Sequence, residues 1–249
     1  MVTLRRELLG KAAGDFRLDH FLRKNPTASV SPRTELLKLV KEQVKERFGL
    51  EGIFTTRFNF TNRVVVLSGE DQRWSDWFVI SSEAADGGIV EGLKQGVIYF
   101  NADCPIVAVH DRLYGRLAVL HCGFRCLVPH GGDDRSIIRN LFHQCAFLPS
   151  YANVFVGFGI GPCCFGIEHL PEADDPLYRD FFSRTRRGPR EGQRSFDLYA
   201  YIVKEFLDSG VPITSIEVDE RCTACDERFH SHCREGPNAG RNAALAWLE

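Results

Sequence analysis

Six short runs rich in β-branched and aromatic residues punctuate the middle of the chain: Val64 to Leu67, Trp77 to Ile80, Val97 to Phe100, Ile106 to His110, Leu117 to His121 and Val154 to Phe158. Most are flanked by Gly, Asp or Asn, and runs of this length between turn residues predict strands. Helical periodicity enters in three places. "SPRTELLKLVKEQVKERFG" offers Ser31 as N-cap, Pro32 at the first helical position, Leu37, Val40, Val44 and Phe48 on one face, and Gly49 as the stop. Two more helices are predicted from Asp133 to about Phe147 and from Phe196 to Ser209, the second closed by Gly210. Strands in succession with a few helices predict an α/β (α+β) fold, a layered sandwich, rather than a regular doubly wound parallel sheet. With no internal repeat or linker, the chain reads as one domain over residues 51–249, preceded by a helical N-terminal lead-in over residues 1–50.

The tightest constraint lies in "NADCPIVAVHDRLYGRLAVLHCGFRC", Asn101 to Cys126. Its two apolar runs are joined by "DRLYGR", which reads as a hairpin turn containing Gly115. If residues 105–110 pair antiparallel with residues 116–121, Cys104 and His121 arrive at the same edge of the sheet. A thiol and an imidazole placed together can ligate zinc or copper, given about three protein donors and an open position. Without metal they can act as a nucleophilic dyad, the imidazole taking the thiol proton. A buried cysteine beside a strand-end histidine is the structural alternative, and the spacing leaves all three open.

Composition narrows the field. The 249 residues carry 31 Lys and Arg against 33 Asp and Glu, which gives no electrostatic reason to expect nucleic acid or an anionic membrane as partner. A small-molecule substrate fits better. No run approaches the ~20 apolar residues of a membrane span, and "MVTLRRELLGKAAGDF" has no secretory apolar core, so a cytoplasmic location is expected. Nine cysteines, an odd number in a chain without an export signal, point to reduced thiols, metal ligands or a nucleophile rather than disulfides.

Two further stretches carry chemistry. In "CTACDERFHSHCRE", Cys222 and Cys225 have the spacing of one half of a tetrahedral metal site, with His230, His232 and Cys233 following; loop-packing thiols are the alternative. "GFGIGPCCFGIE", Gly157 to Glu168, reads as a turn after a strand, and it lacks the lysine of a P-loop and the G-x-G-x-x-G spacing of a dinucleotide fold.

Taken as a set, "EAADGGIV", "NADC", "LAVLHCGFRCL", "GIGPCC", "FDL", "CTAC" and "FHSHCREGPNAGRNAA", with "IFTTR" at Ile53 to Arg57, resemble the polyphenol oxidase or laccase-domain (YfiH-like) family. Its bacterial members are also called purine nucleoside phosphorylases or peptidoglycan editing factors. The resemblance implies a single compact layered sandwich with a mixed sheet, similar to the catalytic domain of cytotoxic necrotizing factor toxins and distinct from a cupredoxin. It implies phosphorolysis of purine nucleosides or deamination of adenosine, with phosphate as co-substrate, and a zinc site made by two histidines and one cysteine. Earlier descriptions of the family give copper and phenol oxidation; zinc is the preferred expectation.

By motif, the metal cysteine falls on Cys104 and the second metal histidine on His121, with Arg57 meeting an anionic group. Asp103, Phe124, Gly161, Pro162 and Arg234 fall around the substrate. The first metal histidine has no counterpart: the segment ahead of Asp86 reads "VVVLSGEDQ", with Ser68 at the expected position. The family's "HAGWRG" is here "HCGFRC", and one arginine of "SHRR" is Cys233. Serine is a poor zinc ligand beside imidazole. Cys122, Cys126 or a C-terminal histidine completes the site, or metal binds weakly, or the Cys104 and His121 pair works without metal as a Cys-His hydrolase or deamidase. A catalytically silent binding protein is the alternative to all of these. For "GRNAALAWLE" the alanine content favours a helix, whereas the resemblance implies a closing strand, which is the expectation adopted.

Overall fold

The structure is a computed structural model that describes residues 4–9, 38, 40–68, 70–128, 135–167, 175–186 and 191–249. Ser31, Pro32, Asp133 and Glu168 lie outside the described residues. In chain order the strands are β1 (Leu4–Leu9), β2 (Gly52–Arg57), β3 (Val64–Val66), β4 (Gln72–Arg73), β5 (Phe78–Ala84), β6 (Gly87–Glu91) and β7 (Gln95–Asn101). There follow β8 (Ile106–Asp111), β9 (Arg116–His121), β10 (Ala152–Val156), β11 (Phe182–Arg184), β12 (Arg194–Phe196), β13 (Ile216–Val218) and β14 (Asn242–Leu248). The helices are α1 (Lys41–Glu46), wound as a π-helix, α2 (Phe124–Leu127), α3 (Ile137–Gln144), α4 (Leu198–Asp208) and α5 (His232–Glu235).

The strands assemble into two mixed six-stranded sheets rather than one. The first has the order β1-β14-β7-β2-β5-β4, the second β13-β10-β8-β9-β6-β3, and β11 and β12 form a separate hairpin. Side chains of a strand alternate between faces, and the central strands are apolar on both, so each face acquires its own cover. Ile106, Ala108, Leu117 and Val119 face Val97, Tyr99, Ala244 and Ala246 between the sheets. Their neighbours Val107, Val109, Ala118 and Leu120 pack with Ile137, Ile138, Leu141, Ile202 and Phe206 of α3 and α4. On the far side, Val40 and Val44 pack with Ile53, Ile98, Leu245 and Trp247. The result is four layers, helix, sheet, sheet and helix.

The β8–β9 hairpin forms with Ile106 opposite His121 and Asp111 opposite Arg116. Gly115, at φ +63°, turns the chain where any other residue would be disfavoured. The lead-in departs from a wholly helical segment: Leu4–Leu9 adds a strand antiparallel to β14. β14 itself is a strand despite its alanines, because it lies between β1 and β7 and is buried along its whole length. Tertiary burial on both faces overrides a helix preference of a few tenths of a kcal/mol per residue. Helices α3 and α4 begin at side-chain caps, Ser136 Oγ accepting from Arg139 N (3.2 Å) and Asp197 Oδ1 from Ala200 N (3.0 Å). The observed start of α3 is thus set by its cap, a few residues beyond the expected Asp133.

Candidate active site

His121 ends β9, and the antiparallel register delivers it beside the loop that joins β7 to β8 and carries Cys104. The imidazole is buried, and its Nδ1 lies 2.8 Å from Asp86 Oδ1. An ionised carboxylate only accepts, so Nδ1–H donates. Asp86 is fully buried too, and its second oxygen accepts from Thr61 N (2.8 Å), Asn59 N (3.1 Å) and Thr61 Oγ1 (3.2 Å). Burial works against the Asp86 charge, but hydrogen bonding and attraction from His121, with the two amides, outweigh it and hold the carboxyl below its usual range.

Nε2 faces the thiol. A Cβ built on Gly123 would lie 3.0 Å from Cys104 Sγ and 3.2 Å from His121 Nε2, so the two atoms flank one small space that only glycine leaves open. Burial disfavours the imidazolium, yet electrostatic attraction to Cys104 and hydrogen bonds with Asp86, Cys104 and Cys126 hold His121 well above its usual pKa. Phe58 stacks on the ring, with centroids 4.2 Å apart and planes 11° apart, and Phe60 meets it edge-on at 5.7 Å. Cys126 Sγ sits 3.8 Å from Nδ1, and burial pushes this thiol up to about 11. The arrangement is a thiol, an imidazole and a carboxylate in sequence, fit to move a proton from Cys104 and to hold it on His121.

The loop of Cys104 is fixed by its neighbour. Asp103, at φ +98°, sends Oδ1 to the Thr223 hydroxyl (2.6 Å) and Oδ2 to Cys233 N (2.7 Å), and its carbonyl accepts from Ile160 N (2.6 Å). Arg234 donates to the carbonyls of Thr223 (2.8 Å) and Ala224 (3.2 Å) and pairs with Glu235 (2.6 Å), bracing the loop that Asp103 grips. Arg57 ends β2 and donates to the Ser82 carbonyl. Phe124 opens α2 and meets Phe196 edge-on at 5.0 Å. Gly161 and Pro162 line a separate cleft of about 600 Å³ with Asp197, Tyr199, Lys204 and Cys222. Cys104 and His121 are therefore brought together as expected, Asp103 secures them, and the remaining expected residues are engaged elsewhere.

Two groups of donors among the described residues are close enough to hold a metal ion, each with its ligand atoms within 4.8 Å of one another: Asp86, His121 and Cys126, and Cys163, Cys164, Cys222 and Cys225. The two-histidine, one-cysteine centre that the resemblance implies lacks its first histidine, and of the expected substitutes Cys126 alone, grouped with Asp86, lies among donors that include His121. Ser68 is exposed, in a turn where its N–H donates to Asp71 Oδ2 (2.9 Å) and its hydroxyl accepts from Glu70 N (3.3 Å). Cys122 is fully buried and held protonated by that burial. His230 pairs with Glu235 at 3.1 Å instead of joining Cys222 and Cys225, whose neighbours are Cys163 and Cys164.

The sequence alone singles out none of Asp86, Phe58, Phe60 and Gly123 as site residues. The signal available was "HCG", where a glycine directly follows a histidine and cysteine at a strand end; nothing local marks Asp86 as the partner of a residue 35 positions away.

The chain spans about half to three-fifths of the length of the curated relatives it matches. It is 35% identical over 146 residues to the purine nucleoside phosphorylase YlmD of Geobacillus stearothermophilus, covering 58% of this chain and 53% of that protein. A purine nucleoside phosphorylase of Mycobacterium tuberculosis is 28% identical over 165 residues, 66% of this chain and 62% of the other. Among solved structures, YlmD from Geobacillus stearothermophilus superposes with a TM-score of 0.69 at 22% identity, covering 99% of this chain and 91% of that one. YfiH of Bacillus licheniformis gives 0.68 at 18% identity over 87% and 82% of the two chains. The fold is thus the YfiH-like fold and not a cupredoxin. Residues 17–249 match the sequence model of one family, and the chain belongs to it: the multi-copper polyphenol oxidoreductase laccase family.

Proposed function

We propose that this protein is an enzyme acting on purine nucleosides or a closely related base-bearing metabolite, with Cys104 and His121 as its reacting centre and Asp86 as the group that orients His121. The observation that carries this reading is the Asp86–His121 hydrogen bond at 2.8 Å, which fixes the proton on Nδ1 and leaves Nε2 turned to the Cys104 side. In this centre His121 takes the thiol proton, Cys104 attacks an electrophilic carbon of the base or ribose, His121 returns the proton to the leaving group, and phosphate or water then displaces the Cys104 thiolate from that carbon, giving up a proton to His121 that restores the thiol. Phe60, half exposed and at φ +55°, offers an aromatic face beside the imidazole on which a base can stack. Beyond it, Asn59, Thr61, Asn62, Asn140 and the Arg63–Glu83 ion pair line a polar cleft of about 540 Å³ suited to hydroxyl groups. The names of the relatives support the substrate class.

The test is incubation of the full chain with adenosine, inosine, guanosine and methylthioadenosine, with and without phosphate, followed by chromatographic separation of products. Turnover of at least one nucleoside, lost by about 100-fold or more in both Cys104→Ala and His121→Ala, is expected. Turnover that survives Cys104→Ala overturns the centre. The three-membered arrangement itself favours a second reading, a cysteine hydrolase acting on an amide carbonyl. Ammonia release from glutamine peptides, with no nucleoside turned over, selects it over the first.

A further inference from the structure

Two turns 61 positions apart in the chain meet beside Asp103. In one, Cys164 N and Phe165 N both donate to the Gly161 carbonyl at 3.0 Å; in the other, Cys225 N and Asp226 N donate to the Cys222 carbonyl at 3.1 and 3.0 Å. Each turn therefore presents two cysteines from the same tight backbone bend. Their sulfurs converge: Cys225 Sγ lies 3.4 Å from Cys164 Sγ and 3.7 Å from Cys163 Sγ, and all four ligand atoms, Cys222 included, lie within 4.8 Å of one another. The Gly161 N–H donates to Cys222 Sγ from 3.2 Å, which fixes that sulfur beside the other three.

We infer that Cys163, Cys164, Cys222 and Cys225 form a tetrathiolate site for a zinc ion, separate from the Cys104 and His121 centre. In a tetrahedral site with Zn–S near 2.3 Å, the sulfurs sit about 3.8 Å apart, which is the range found here. Four sulfur donors with no open position make a structural rather than a catalytic site, and soft thiolates select zinc over calcium or magnesium. Cys225 is exposed, so an ion reaches the sulfurs from solvent, while buried Cys164 anchors the site to the apolar layer beneath. Zinc binding releases the thiol protons to solvent as the four Zn–S bonds form. The site closes a loop of about 60 residues, and through Thr223, which lies between two of the ligands, it reaches Asp103 and the Cys104 loop.

The full chain, purified under reducing conditions, is expected to hold about one zinc per chain by mass spectrometry of metals. Cys104→Ala retains it, whereas Cys222→Ser with Cys225→Ser reduces it about tenfold or more. Two measurements use the unaltered protein, so that the result does not depend on the double variant folding. Titration with an organomercurial releases zinc in step with thiol modification, and exchange with Co²⁺ gives the intense visible bands of a tetrahedral thiolate complex. Absence of metal together with no cobalt spectrum overturns the site, as does peptide mapping that finds any two of these cysteines joined as a disulfide in the reduced preparation. Zinc lost in Cys104→Ala but kept in the double variant overturns it too, and would place the ion at the centre assigned above to metal-free chemistry.

Discussion

Asp86→Asn separates the role of the carboxylate from its shape. The amide can keep its oxygen toward Thr61 N, Thr61 Oγ1 and Asn59 N, so the loop of residues 59–61 retains its anchor. Its NH2 then faces His121 Nδ1 across the 2.8 Å contact, which obliges Nδ1 to accept and moves the imidazole proton to Nε2. An Nε2 that already carries a proton cannot take one from Cys104. Loss of the correct tautomer in a triad of this kind costs on the order of 10⁴ in rate, about 5.5 kcal/mol of barrier. The buried charge-assisted hydrogen bond is worth about 1.5–3 kcal/mol of stability, so Tm falls by roughly 3–12 °C for a chain of this size. The assay is kcat on the best nucleoside together with the rate of Cys104 alkylation by iodoacetamide, read by peptide mass spectrometry. The second readout stands even if the substrate assignment fails, and it should slow by about tenfold or more near neutral pH. A folded Asp86→Asn protein with kcat and alkylation rate both within about threefold of the unaltered chain would refute the tautomer argument.

Gly123→Ala places a methyl 3.0 Å from Cys104 Sγ and 3.2 Å from His121 Nε2, and is expected to lower activity by about 10- to 100-fold with the far-ultraviolet dichroism unchanged; full activity would show that the two groups do not approach through that space. Stability should fall on both sides of neutrality, for reasons of opposite sign. Burial holds His110, against the pull of Asp111, below its usual 6.5, and the net shift of Asp86 lies below 3.8, so both contribute stability that is lost as pH falls through these ranges. His121 lies well above 6.5, so its contribution is complete below that value and is lost as pH rises through its folded pKa. Urea midpoints at about pH 5, 7 and 9 should trace this dome, and His110→Asn should flatten its acidic side between about pH 6.5 and 5.

How far the sequence reaches depends on whether the information is local. The β8–β9 hairpin is legible because its two runs and the "DRLYGR" turn are contiguous, and that register alone brings Cys104 to His121. β6 went unread since "GGIVE" opens on two glycines, which ordinarily mark a turn; here they are needed because a Cβ at Gly87 or Gly88 would strike Leu120, Val64 or Leu67 at under 3 Å. β14 was assigned from family likeness against its own alanine content, and burial between two strands explains why the likeness prevailed. Cys222 and Cys225 signalled half of a metal site, but their spacing could not name Cys163 and Cys164 as the other half, because that pairing is made by β10 lying parallel to β13. Ser68 is the inverse case. Motif position aligns it with a ligand, while the fold turns it outward onto Asp71.

The grip of Asp103 has a consequence for how this protein is made. Its two carboxylate oxygens wait for Thr223 and Cys233, residues 120 and 130 positions later in the chain. During synthesis the Cys104 segment leaves the ribosome long before either partner exists, and the left-handed turn at Asp103 has nothing to hold it. β7 likewise waits for β14 to complete its sheet. The loop that carries Cys104 is thus fixed only once residues as far on as Cys233 have been made, so a chain stopped before them holds Cys104 on a loop without its anchor.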